Sequence, residues 1–316
     1  MKRLKYIVTA LILLVVMSAC SSNKESRETE KTSDKLKIVT TFYPMYDFTQ
    51  NIVGDAGDVS MLIKQGVEPH DFEPSAKDMA KIQDADVFIY NSTEMETWVP
   101  DVLKGIDTSK VKVIEASKDI KLLEDRESHD EELEEHERGE HSHVYDPHVW
   151  TDPVLAKQEV ETITKKLTEI NNTHKSLIQK NGAEYAEKLT ELEQAYQEAF
   201  KDAVNRKFVT QHQAFSYLAH QYDLVQIPIS GINPDQEPTP KELKQIEDFV
   251  KKEKVSIIYT ESSASSKVAA TVSAATGAEL KVLNPLESLS EKQQKSGDDY
   301  LSVMRKNLDM LKLSIK

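Results

Sequence analysis

Cysteine is all but missing from this chain: its 316 residues include only Cys20. One thiol forms no intramolecular disulfide, so stability must come from a hydrophobic core and any metal site must use nitrogen and oxygen donors. No apolar run suffices to cross a bilayer as a helix, since Ile7 to Met17 falls well short of about 20 residues. An HExxH segment and a nucleophile elbow are both absent, which removes the usual signatures of a zinc hydrolase or an α/β-hydrolase. Positive charge is also short, with 40 Lys and Arg against 54 Asp and Glu and a net charge of −14. Such an acidic exterior makes nucleic acid an unsuitable partner and favours solubility.

The chain opens with the basic stretch Met1-Lys-Arg-Leu-Lys5, then the short apolar run, then Ser18-Ala19 before Cys20. This order reads as a secretory signal over residues 1–19. It resembles a bacterial lipoprotein processing site, with cleavage before Cys20, lipid on its sulfur, and Met17 where Leu is usual. Loss of Lys2, Arg3 and Lys5 with the signal takes the net charge from −14 to −17. Residues 20–35 are rich in Ser, Lys, Glu and Thr and nearly free of apolar side chains, so they read as a flexible tether.

From Leu36 onward, short apolar runs alternate with helix-length segments. Leu36 to Phe42, Val59 to Ile63, Val87 to Asn91 and Val111 to Glu115 read as strands. Lys207 to Thr210, Leu224 to Ile229, Val255 to Tyr259 and Leu280 to Leu283 form a second set. The alternation predicts an α/β fold of two lobes, each with a roughly four-stranded parallel sheet flanked by helices. Between them Tyr185, Leu189, Leu192 and Tyr196 recur at helical spacing, which predicts one long rigid helix joining the lobes. The expected division is an N-terminal lobe over 36–173, a linking helix over 174–204 and a C-terminal lobe over 205–316. Gly182, near its start, is the one position in that helix at which to look for a kink.

Four side chains far apart in sequence stand out as metal ligands. His70 lies in Val67-Glu-Pro-His70, His148 in Asp146-Pro-His-Val-Trp150, His212 in Thr210-Gln-His-Gln-Ala-Phe215 and Glu261 in Ile257-Ile-Tyr-Thr-Glu261. Each follows a strand-like run or opens a loop. Three imidazoles and one carboxylate make a tetrahedral set suited to zinc, with bonds of about 2.0–2.2 Å, whereas harder cations ask for more oxygens. Each ligating imidazole needs an acceptor for its other N–H, and Asp71, Asp146 and Asp152 are near enough in sequence to serve. Asp152 before Pro153 reads rather as a helix N-cap, and Glu68 as a loop-shaping residue. His174 and His220 read as structural or exposed.

Residues 124–145 form an acidic loop bearing His129, His136, His141 and His143, either a weak, multivalent metal collector or a solvated segment.

Together with the lipoprotein site, Thr40-Thr-Phe-Tyr-Pro44 and Asp235-Gln-Glu-Pro238, these motifs resemble the zinc-binding solute-binding lipoproteins of bacterial ABC importers. The likeness covers nearly the whole chain after the tether. It implies a receptor that captures Zn²⁺ between two lobes and passes it to an ABC permease, working as a monomer anchored by lipid to the outer face of the cytoplasmic membrane. By motif, His70 and His148 would come from the first lobe and His212 and Glu261 from the second. Manganese-binding relatives carry Glu in place of His212 and Asp in the last position, so the chain resembles the zinc branch. Two alternatives stay open: a manganese receptor of the same family, and a zinc hydrolase with a three-histidine metal site and Glu261 as general base. Deleting Ser128 to His143 should leave the tight site intact and remove only weak binding; calorimetric loss of the tight site would refute the collector reading.

Overall fold

In a computed structural model, residues 35–124, 145–261 and 265–316 are described. The signal, Cys20, the tether up to residue 34 and the four histidines of the acidic loop lie outside them. The first half carries β1 (Leu36–Thr40), α1 (Tyr43–Val53), β2 (Gly57–Met61), α2 (Ala76–Gln83), β3 (Val87–Tyr90), α3 (Val99–Gly105) and β4 (Lys112–Glu115). Its sheet is all parallel in the order β2-β1-β3-β4, with Ile38 opposite Val59 and Val87. All four residues of β3, Val87-Phe-Ile-Tyr90, are buried, as expected of a parallel strand covered on both faces. A two-residue antiparallel ribbon, β5 (Leu123–Glu124) with β6 (Tyr145–Asp146), brackets the acidic loop.

The second half repeats the plan with β7 (Lys207–Thr210), β8 (Val225–Pro228), β9 (Ile257–Thr260) and β10 (Glu279–Val282), all parallel in the order β10-β9-β7-β8. The expected strands are therefore all present, with bounds moved by three residues or fewer. Helices α4 (Pro153–Ile170) and α5 (Lys175–Phe200) lie between the two sheets in sequence; α6 (Ser216–Gln221), α7 (Pro240–Lys252), α8 (Lys267–Thr276), α9 (Glu291–Lys295) and α10 (Tyr300–Leu311) follow. None of the described helices is long and apolar enough to cross a membrane.

Local chemistry sets the helix starts. Ser75 with Asp78 and Thr239 with Glu242 form reciprocal capping boxes at α2 and α7. Asp152 caps α4, its carboxylate accepting from the Val154 N–H at 3.0 Å with Pro153 at the first helical position. It thus satisfies one of the backbone donors that a helix start leaves without a partner.

The 26 residues of α5 span about 39 Å. Its buried stripe of Ile178, Tyr185, Leu189, Leu192, Tyr196 and Phe200 joins a hydrophobic core that includes residues of both sheets, among them Phe88 and Tyr259. A smaller cluster around Val209, Ile258 and Val272 fills the other side of the second sheet. The long helix is therefore packed along its length.

Gly182, the one position in α5 at which to look for a kink, has a packing role. A Cβ at this position would sit 2.9 Å from the Thr164 Cβ and nearer still to its Oγ1 and Cγ2, so glycine lets α4 and α5 approach while α5 runs on unbroken. A buried polar node fixes the same region. Asp47, from α1, accepts from the Tyr185 hydroxyl of α5 at 2.7 Å, from the Tyr43 hydroxyl at 2.9 Å and from the Tyr300 N–H of α10 at 3.2 Å. One carboxylate thereby joins three helices that are distant in sequence.

Gly182→Ala should cost about 1–3 kcal/mol through overpacking, measured by denaturant unfolding. Thr164→Ala in the same chain should restore part of the loss; no loss in the single variant would contradict the close-approach role.

Candidate metal centre

Parallel sheets present their loops at the carboxyl ends of the strands, the usual place for ligand sites in open α/β folds. The loops that carry the site use this edge in both halves. His70 lies in the loop after β2, His212 two residues after β7, and Glu287 in the loop after β10. His148 comes two residues after the ribbon strand β6.

Three imidazole nitrogens and one carboxylate oxygen converge. His148 Nε2 lies 3.2 Å from His70 Nε2 and 3.4 Å from His212 Nε2. Glu287 Oε1 lies 3.3 Å from His212 Nε2, 3.4 Å from His148 Nε2 and 3.7 Å from His70 Nε2. Zinc bonds of about 2.0–2.1 Å at a tetrahedral centre place neighbouring donor atoms about 3.3–3.4 Å apart. The five measured edges match a tetrahedron of that size, and all four donor atoms fall within 4.8 Å of one another. Side chains of His148, His212 and Glu287 are at most 1 % exposed and that of His70 is 7 % exposed, so the convergence point is enclosed.

His70, His148 and His212 thus meet as the sequence reading expected, but the oxygen beside them is that of Glu287, not Glu261. Glu261 pairs instead with Nδ1 of His212, on the far side of the ring from the convergence point. The reason is topological. Glu261 directly follows β9, next to β7 in the sheet, so its carboxylate meets the flank of His212. The loop after β10 reaches the free edge of the imidazoles. Sequence reasoning missed Glu287 because Leu283-Asn-Pro-Leu-Glu287 contains no histidine, and a carboxylate after a strand is the same signal that Glu261 gives.

Two carboxylates orient two of the rings. Asp146 Oδ1 accepts from His148 Nδ1 at 2.8 Å and from its backbone N–H at 2.9 Å, and Glu261 faces His212 Nδ1. This fixes the tautomer that leaves Nε2 free to bind and raises the basicity of the ring. Of the three aspartates considered for this task, Asp146 is thus in place. Asp152 is the N-cap of α4, and Asp71 accepts from Asn233 at 3.1 Å. Glu68 accepts from the His70 N–H at 3.2 Å and shapes the loop. The His148 loop is pinned by Asn91, which donates to the Pro147 carbonyl at 3.0 Å; the His212 carbonyl is held by Thr210 at 2.8 Å and Gln226 at 3.0 Å.

The electrostatics point to a cation. Burial opposes ionisation of Glu287, yet the surrounding imidazoles hold its carboxyl well below the usual range. Burial also disfavours the charged form of His212, but Glu261 and Glu287 push its pKa well above the ordinary imidazole value. His148 is likewise raised against burial, by Asp146, while desolvation lowers His70. Glu68, desolvated and near Glu287, is pushed up to about 8. Among the described residues the Glu287 carboxylate has no hydrogen-bond donor beyond the imidazole nitrogens that face it, which is costly for a buried carboxylate unless a cation compensates it.

A scan of protein families matches residues 38–313 to the family described as zinc-uptake complex component A, periplasmic. The chain belongs to this zinc-uptake component family. It is 47% identical to the high-affinity zinc uptake system protein ZnuA of Bacillus subtilis, covering 98% of this chain and 96% of that protein. It is 46% identical to the zinc-binding lipoprotein AdcA of Streptococcus pneumoniae, covering 99% of this chain but only 61% of that longer protein. Among solved structures, the Zn(II)-bound ZnuA-like domain of S. pneumoniae AdcA superposes with a TM-score of 0.76 at 47% identity, over 89% of this chain and 98% of that one. The two-lobe α/β architecture is that of the zinc-uptake components.

Exchanging the two glutamates separates their roles. Glu287→Ala should weaken divalent-metal binding by orders of magnitude, whereas Glu261→Gln should cost about 10–100-fold. A competitive chelator titration checks this, and the reverse ranking would restore Glu261 as the direct donor.

Proposed function

We propose that this protein is an extracytoplasmic receptor that captures Zn²⁺ and delivers it to an ABC permease. The ion is cargo, bound through His70, His148, His212 and Glu287. The observation that carries this reading is the tetrahedral arrangement of three nitrogens and one oxygen at edge lengths suited to zinc. The names of the relatives, a zinc uptake protein and a zinc-binding lipoprotein, support it independently. A catalytic zinc site keeps one position open for water, whereas a site closed by four protein donors suits binding and transfer. This favours the receptor over the hydrolase. One oxygen among four donors likewise favours zinc over manganese, which prefers more oxygen ligands.

In this reading residues 36–173 and 205–316 act as two lobes joined by 174–204, with ligands contributed from both. Cys20 carries the lipid that holds the receptor at the outer face of the membrane, and the protein works as a monomer. Capture proceeds as a dication replaces protons at the enclosed nitrogens, while Asp146 and Glu261 keep two imidazoles turned towards it. Release must then require the two sets of ligands to part, because no single loop supplies more than one of them.

Calorimetric titration of metal-free protein should show one tight Zn²⁺ per chain. His148→Ala or His212→Ala should weaken it by orders of magnitude while leaving the fold. Between pH 7 and 5 the affinity should fall steeply, because an imidazole nitrogen cannot hold a proton and a metal at once. Affinity unchanged in either variant, or insensitive to pH over that range, would contradict the three-histidine site.

A further inference from the structure

Among the described residues Glu287 is the one oxygen donor at the convergence point, and its loop is held in an unusual way. Leu286, directly before it, has a φ of +64°, a left-handed conformation unfavourable for a residue with a branched side chain. Such a backbone persists only where its surroundings impose it. Four buried contacts do so here. The Trp150 indole N–H donates to the Pro285 carbonyl at 2.7 Å. The Leu286 N–H is taken by Asn284 Oδ1 at 2.7 Å. Asn307, on α10, closes a two-way pair with the Asn284 backbone, accepting from its N–H at 2.9 Å and donating to its carbonyl at 2.7 Å.

Trp150 also links this clamp to the opposite ligand loop. It lies two residues after His148, and its own carbonyl accepts from the Tyr300 hydroxyl at 2.5 Å. The Tyr300 N–H is in turn bound by Asp47. The Trp150 ring is wholly buried and packs edge-on against Phe42, with centroids 4.8 Å apart. A rigid buried ring therefore ties the His148 segment to the Glu287 segment from behind both ligands.

We propose that Trp150, with Asn307 and the left-handed Leu286, is a positioning and specificity device that fixes the single-oxygen vertex of the metal site. The inference rests on the zinc-receptor reading above and deepens it. With the backbone of residues 284–286 clamped, Glu287 Oε1 lies at the edge length of a small tetrahedron, and enlarging that tetrahedron for a harder ion that asks for more oxygen donors works against the clamp. The clamp thus discriminates against Mn²⁺ by resisting an outward shift of the carboxylate. It also means that the loop need not be ordered anew at each capture.

The test uses the full metal-free protein, with Zn²⁺ and Mn²⁺ as probes. Trp150→Phe keeps the ring against Phe42 and removes only the indole N–H. Zinc dissociation should quicken about tenfold, and the ratio of Zn²⁺ to Mn²⁺ affinity should fall by a similar factor. Ser273→Ala removes a partly buried hydrogen bond, to the Ala278 carbonyl at 2.7 Å just after α8, with no link to the clamp; it should lower the unfolding midpoint of the metal-free protein but leave release rate and ion preference unchanged. Asn307→Ala should shift ion preference in the same direction as Trp150→Phe. If the wild type binds Zn²⁺ tightly and Trp150→Phe keeps its release rate and selectivity, the clamp is refuted while the receptor stands. Equal effects of Trp150→Phe and Ser273→Ala on zinc would reduce Trp150 to a packing residue. A wild type without tight Zn²⁺ binding would overturn the receptor reading itself.

Discussion

A carboxylate buried against three imidazoles is the constraint on which the rest of this molecule turns. Among the described residues Glu287 has no hydrogen-bond donor beyond the imidazoles, and the nitrogens it faces come from three other segments. Left to themselves such groups are compensated by protons on the rings; a dication satisfies all four at once and releases those protons. Coordination energy therefore acts between remote parts of the chain. Asp146 and Glu261 make that convergence productive by holding two rings with Nε2 forward.

The scaffold explains how such a point is kept rigid. Two parallel sheets of like topology deliver loops at their carboxyl ends, and a continuous core containing α5 ties them together. Asp47 joins α1, α5 and α10 through buried hydrogen bonds, and Trp150 and Tyr300 extend that linkage to the ligand loops. Ligand geometry is thereby coupled to the packing of the long helices.

Much of this was legible in the sequence, for physical reasons that differ from element to element. Val87-Phe-Ile-Tyr90 and Ile257-Ile-Tyr-Thr260 read as strands because parallel strands buried on both faces show unbroken apolar runs. Asp152-Pro153 read as a helix start because its capping chemistry is local. The three histidines stood out since each sits in a distinctive Pro- or Gln-flanked loop. What escaped was set by the fold at long range. Glu261 and Glu287 give the same local signal, and only the order of β7, β9 and β10 decides which meets the flank of His212 and which its Nε2 edge. Gly182 drew notice only as a place where the helix could bend, and its packing role depends on Thr164 in the neighbouring helix. The β5–β6 ribbon, two residues a side, is too short to leave a periodic pattern.

Anomalous diffraction from crystals grown with Zn²⁺ tests the central claim most directly. A single strong zinc peak bonded to Nε2 of His70, His148 and His212 and to a Glu287 oxygen, at about 2.0–2.1 Å, with Glu261 still on Nδ1 of His212, is the result predicted. A peak elsewhere, or one coordinated by Glu261 with Glu287 turned away, would contradict it.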